Sequence, residues 1–553
     1  MRMRVNEWEN VLSRLRNNDA ELTELSIGWQ QIGDVQAKEL AMALKVNHTL
    51  KSLYLGFNTI TDSGVIELAM ALEKNCTIKS LNLRNNHFKV EGANALAQML
   101  RVNSSITALY IGCNGIGDDG IVLLADALET NTTLNALNVE YNHISDVGIS
   151  TLAKMLRSNH TLRMLNLGWN KISQFGATEL SFALAENHGL RVLYLISNQI
   201  GDLGTIALAN ALKCNHTLMA LYLSANKISA IGASALVSLL ECNHTLRELY
   251  LGGNFLRDRG TKKFADLFKT KRSLMAFCLA RNQMSDSGAI ELITSLKDNH
   301  TLIDLDLGDN QLSDESAVEM AVLLKNNNTL VELGFGGNNI GINGAFELAR
   351  SVKDNYALTL FDLNNTLAGD TMAGEIHTTI RRNCLLRDKL HESVKTGNVS
   401  AVSSYLQQGV SLLAASSHHN TALHWAVITR QSNVAAYLIN LMQQLNITLD
   451  KRNRNNKTAA DLARGSELEA LFPTEFARQS TIPKNIYPSA NSLRPHQCST
   501  NQQSTPFPKS CNNVKLSSIN YGGLFFRKRE FSTQKLSTHH FSLCKILKNA
   551  LRK

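Results

Sequence analysis

Four histidines, His160, His188, His216 and His244, stand 28 residues apart. Imidazoles stacked at strand spacing approach the distances at which metal ligands gather. Each of these follows an Asn at the close of a repeated unit, which reads as a solvated turn copied with its repeat. No metal site is assigned to them. The tripeptide NHT is also a glycosylation acceptor, but the opening stretch MRMRVNEWENVLSRLRNNDA lacks the apolar run of a signal peptide. Use of the sequon is therefore not expected. HESVK at 391–395 lacks the second His of HExxH, and GxSxG, the glycine-rich nucleotide loops and paired CxxC are missing. No catalytic, cofactor-binding or metal-binding residue is assigned, and the chain is expected not to be an enzyme.

Recognition chemistry is better represented. The fifth residue of the repeating unit is Tyr54, Tyr110, Tyr194, Tyr222 and Tyr250 in five copies, and the eighth is Trp29, Phe57, Tyr141 and Trp169 in four. Both positions are expected to face away from the core of a short strand. Tyr and Trp combine large contact area with a polar handle and dominate interface hot spots. Toward the far end the same face becomes acidic through Glu248, Asp304, Asp306, Asp309, Glu332 and Asp362, while Lys51, Lys79 and Arg84 lie at the near end. This pattern suits a protein partner with a basic patch. Specific nucleic-acid binding is not expected.

These residues are positioned by a repeat. The pattern LxxLxLxxN starts at Leu22, Leu50, Ile78 and so on to Leu358, thirteen times with a period of 28 and no insertion. Leu165 and Leu167 alternate as on a strand, and Leu180 and Leu184 share one face of a helix. Gly176 opens the helical segment, a Gly recurring there in ten units, and Asn-His closes it. That Asn is expected to serve as a helix C-terminal residue. A further Asn fills the ninth position in eleven units, from Asn58 to Asn338, where a buried amide can satisfy turn backbone. One strand and one helix cannot bury their own apolar faces, so units must stack. Strands pack at about 4.8 Å and helices at about 10 Å, which curves the array with its strands inside.

The 28-residue unit resembles the ribonuclease-inhibitor class of leucine-rich repeats, also found in NOD-like receptors. The resemblance covers residues 22–385 and implies a protein-binding α/β solenoid, a horseshoe of thirteen units with a parallel inner sheet and outer helices. No GxxxxGK[ST] of the NOD-like nucleotide-binding domain is present. Residues 1–21 are read as a capping helix. Over 386–472, DKLHESVKTGNVSAVSSYLQQG and TALHWAVITRQSNVAAYLI align with Leu390 and Leu423 33 residues apart, and KTAADLARGSELEALF supplies a truncated third unit. These resemble ankyrin repeats, with TALH at 421–424 matching the family's opening, and imply a small all-α stack.

Composition divides the chain at the same place. All six prolines lie between Pro473 and Pro508, and residues 473–553 carry 13 Lys/Arg against Glu475 and Glu530. A near-neutral body is thus followed by a Pro-containing, basic tail that is expected to be mostly disordered. Its segment 541–553, FSLCKILKNALRK, puts Phe541, Cys544, Leu547 and Leu551 on one helical stripe among lysines, suited to weak membrane-surface binding. No run approaches a membrane span, and nine unpaired-looking cysteines fit a reducing compartment. The expected protein is a cytoplasmic monomer acting as an interaction scaffold. The union of two eukaryotic-type binding modules resembles effectors that bacteria such as Legionella inject through a type IV secretion system, which implies the host cytosol as the place of action. A second expectation is regulation of an enzyme. Arrays of this kind include an activator of the small GTPase Ran, and Arg84 is the only Arg at the seventh position of a unit.

Overall fold

The computed structural model describes residues 5–472 apart from 271–272, 417–419, 446 and 454–456. The expectations for the tail, including its linker prolines and the 541–553 stripe, lie outside the described residues. Each unit contributes one three-residue strand, from Glu24–Ser26 to Leu360–Asp362, and all thirteen pair in parallel in chain order. The register is constant: Tyr194 pairs with Tyr222, and Tyr222 with Tyr250. Leu165 and Leu167 are fully buried, and so are Leu180 and Leu184 of the helix Gln174–Glu186 that follows them. The helix Val5–Arg16 closes the first unit with Leu12 and Leu15.

Three ladders of polar side chains join unit to unit. The ninth-position amide does more than serve its own turn. Asn58 accepts from Gln30 N and Ile32 N at 3.0 and 3.1 Å, and donates to Ile27 O and Leu55 O at 3.0 and 2.9 Å. The Asn at the helix end closes its helix as expected, Asn103, Asn159, Asn187, Asn243 and Asn327 each standing at the C-cap, and it has a further role. Its backbone is extended rather than left-handed, as at Asn103 (φ −75, ψ 124). The side chain of Asn75 donates to Leu44 O and Asn47 O of the preceding unit, and accepts from Thr77 N of its own and Ile78 N, which opens the next. It is a second buried bridge that satisfies groups the helix end and the strand start leave open. The third ladder uses an Asp near the helix start, which bonds the next unit in eight of the thirteen. Asp118 accepts from Ser145 N and Gly148 N of the next unit at 2.7 and 3.1 Å. A Cβ at Gly148 would lie 2.5 Å from Ile121 Cγ2 and 2.6 Å from that same Asp118 oxygen, and at Gly204, where no Asp precedes, 2.7 Å from Ile200 Cγ2, so close packing accounts for the recurrent Gly.

The helix Gly369–Lys395 runs unbroken through position 385, where the first repeat type was expected to end. The hydrophobic cores do divide along it. Ile380 belongs to the core of the array, whereas Leu390 and Val394 belong to a second core with residues up to Phe472. That second core is built by the helices Val399–Gln407, Ala422–Ile428, Ser432–Gln444 and Ala459–Ala463. Thr421 caps the second of these through a reciprocal bond with His424. Among the described residues no helix is long and apolar enough to cross a membrane.

Candidate protein-binding surface

With the helices on one face of the sheet, the third, fifth and seventh residues of each unit line the other. The eighth residue lies past the strand, correcting its expected place on it. In all thirteen units it is left-handed, with φ between 52 and 70. The conformation is held by main-chain bonding that continues beyond the strand: Tyr141 N donates to Gly168 O, and Trp169 N to Ile196 O. The ninth-position amides lock the next residue. A left-handed non-Gly residue costs about 1–2 kcal/mol, and in exchange its side chain stands out at the rim of the open face. Trp29, Tyr141 and Trp169 are 66%, 53% and 56% exposed. Phe57 stacks on Trp29 with ring centroids 4.0 Å apart. Arg84 lies over Phe57 and bonds Glu140 at 2.7 Å, and Glu140 in turn accepts from Asn166 at 2.8 Å.

The fifth-position tyrosines are arranged differently. Tyr194, Tyr222 and Tyr250 form a continuous stack with centroid spacings of 4.2 and 4.4 Å. Tyr194 and Tyr222 are 4% and 5% exposed, so the open contact area expected of them is absent: rings cover both faces of Tyr222, and Tyr194 lies between Tyr222 and Asn166. Tyr250, Tyr54 and Tyr110 are half-buried. The stack is anchored to the acidic side chains, Tyr222 Oη donating to Glu248 at 3.0 Å and Tyr250 Oη to Asp304 at 3.3 Å. Burial, with these carboxylates alongside, pushes the phenols of Tyr222 and Tyr250 well up from their ordinary range.

Acidic residues of the far end occupy two adjacent columns. Glu248, Asp304 and Glu332 stand at the third position, and Asp306 and Asp362 at the fifth, in register with Cys278. Burial and then the charges of Glu332 and Asp306 raise the Asp304 carboxyl to about 7, against the opposing bond from Tyr250. Burial and Asp306, which accepts from the Cys278 thiol at 3.3 Å, push that thiol up as well. Asp309 stands apart on the rim, paired with Arg281 at 3.0 Å. Glycines Gly308, Gly334 and Gly336 leave bare backbone between the carboxylates. The histidines sit elsewhere: His160 and His188 stack at 6.0 Å in the turns before the strands. Among the described residues no three His, Cys, Asp or Glu converge as metal ligands.

Nine stretches, covering 46–69, 74–97, 102–125, 130–153, 158–181, 186–209, 214–237, 242–265 and 298–321, match the family described as Leucine Rich repeat. The array is a leucine-rich-repeat solenoid. Repeats of this class typically serve protein–protein interaction. No curated protein matches the chain. Among solved structures, the leiomodin-1 actin-binding site 2 is 26% identical, covering 28% of this chain and 90% of its own, with a TM-score of 0.26. The yeast Rad7 and Elc1 complex is 17% identical over 60% of this chain and 74% of that one, at 0.39. The tropomodulin C-terminal domain of Caenorhabditis elegans is 20% identical over 28% and 93%, at 0.25.

Proposed function

We propose that the chain is a non-enzymatic interaction scaffold whose protein partner lies along the open face of the sheet. The observation that carries the reading is the rim column. Three large aromatics, Trp29, Tyr141 and Trp169, are more than half exposed on strained backbone, an arrangement core packing does not require. Phe57, Tyr54 and Tyr110 lie beside them as secondary contacts. The tyrosine stack is the rigid floor between that rim and the acidic end. Basic side chains of the partner meet Glu248, Asp304, Asp306, Glu332 and Asp362, where an incoming cation offsets the repulsion that adds to burial in raising Asp304. Capture from cell lysate with the intact protein and with Trp29→Ala/Tyr141→Ala/Trp169→Ala tests the reading. A partner lost only from the folded variant supports it, and an unchanged set of partners overturns it.

The enzyme-regulator alternative needs an arginine free to enter a partner's site. Arg84 is instead engaged by Glu140 and Phe57, which favours the scaffold. We read the helices after Leu390 as ankyrin-type units that close the array. Support comes from the 33-residue offset between Asn420 and Asn453, whose side chains bond at 2.9 Å, and from the Thr421 cap.

A further inference from the structure

Val147, Phe175, Leu203 and Ile231 are spaced 28 residues apart, so the constant register puts them at one place on four adjacent units. They open the helices Asp146–Ser158, Gln174–Glu186, Gly201–Leu212 and Ala230–Cys242, and none belongs to the buried face of its helix. Their exposures are 69%, 69%, 63% and 64%. At about 10 Å between packed helices the four make an apolar ridge roughly 30 Å long. Contiguous apolar surface of this kind marks an interaction site. An open groove beside it is lined by Asp146, Val147, Phe175, Thr178 and Glu179. On the same outer side, Phe182 is half exposed over a second groove bounded by Ala207, Asn210 and Ala211.

The ends of the ridge identify its occupant. At the same register position the unit before Val147 carries Asp119 and the unit after Ile231 carries Arg259, both exposed. The row therefore reads acid, four apolar residues, base. A two-fold axis between Phe175 and Leu203 lays this row on its own reverse: Val147 meets the partner's Ile231, Phe175 meets the partner's Leu203, and Asp119 meets the partner's Arg259. We propose that this ridge is the contact between two copies of this chain. Such an isologous interface is self-complementary in shape and charge, whereas a foreign partner requires no matched acid and base at opposite ends. The contact has far fewer side chains than the roughly 20–30 per side of a standard interface. Association is accordingly weak and concentration-dependent, and it replaces the monomer expected from the sequence. It leaves the open face of the sheet free.

Sedimentation velocity of the full chain between about 1 and 100 µM tests the proposal. The native chain shifts from monomer to dimer across that range, and Phe175→Asp stays monomeric throughout. Asp119→Arg or Arg259→Asp alone weakens association by about tenfold or more, and the two together restore it to within about threefold. All three positions are exposed, and circular dichroism verifies that each variant is folded. The rim variant Trp169→Ala associates as the native chain does. A native chain that is monomeric at every concentration overturns the proposal, also where Phe175→Asp loses a foreign protein from lysate. A dimer indifferent to Phe175→Asp, or a charge swap that fails to restore association, overturns it equally.

Discussion

Tyr222 and Trp169 face the same side of the same sheet, yet one is 5% exposed and the other 56%. The difference lies in their neighbours and their backbone. Tyr222 has an aromatic ring in register on each side and small residues, Ala220 and Val192, in the adjacent column, so stacking closes over it. Trp169 stands on a left-handed residue beyond the strand, with Ser197 next in the column, and nothing covers it. Repetition of an aromatic therefore does not by itself mark a contact residue. The fifth column packs upon itself, and the eighth is the one we propose for recognition.

Removing a ring from the stack should break that comparison most visibly. Tyr222→Ala empties a covered site and is expected to cost about 3–5 kcal/mol, read as a lower urea midpoint. A change below 1 kcal/mol would mean the stack is ornamental. The next effect is on pH. The folded Asp304 holds its proton up to about 7, whereas an unfolded Asp releases it near 3.9. The folded state thus binds more protons between those values, and stability falls as pH rises through the window, by on the order of 2–4 kcal/mol. Denaturation at pH 5 and pH 7.5 should show this drop in the native chain and a much flatter response in Asp304→Asn.

On the recognition side, Trp169→Ala is expected to leave stability within about 0.5 kcal/mol while weakening the partner by tenfold or more. Pull-down titration and urea denaturation of the same sample separate the two readouts. The smallest effect belongs to the link between the columns. Arg84→Gln releases Glu140 from a part-buried pair, worth about 0.5–1 kcal/mol, and its stability difference should shrink further in high salt.

The repeat was fully legible because thirteen units share one register without insertion, and strand and helix follow from the change in apolar spacing. The left-handed eighth position was missed, although its column also contains Gly253, Gly337, Asn85, Asn365 and Asp309, residues tolerant of that backbone. The bridging role of the helix-end Asn, which comes in addition to its place at the C-cap, is not legible locally because its partners, the carbonyls of the preceding unit, are 28 and 31 residues away. Its recurrence in twelve units, with Lys271 as the exception, was the available clue. Burial of Tyr194 and Tyr222 depends on three aromatics in consecutive units, which is visible in the sequence only once the register is laid out as a sheet. Ile380 and Leu390 belong to different cores, and one helix carries both.

The most direct test of the central claim compares lysate partners of the native chain with those of Trp29→Ala/Tyr141→Ala/Trp169→Ala, after denaturation curves have matched their stabilities. The account predicts loss of a partner that the native chain retains, with an unchanged urea midpoint. Retention of every partner by the fully folded variant would contradict it and remove the rim from recognition.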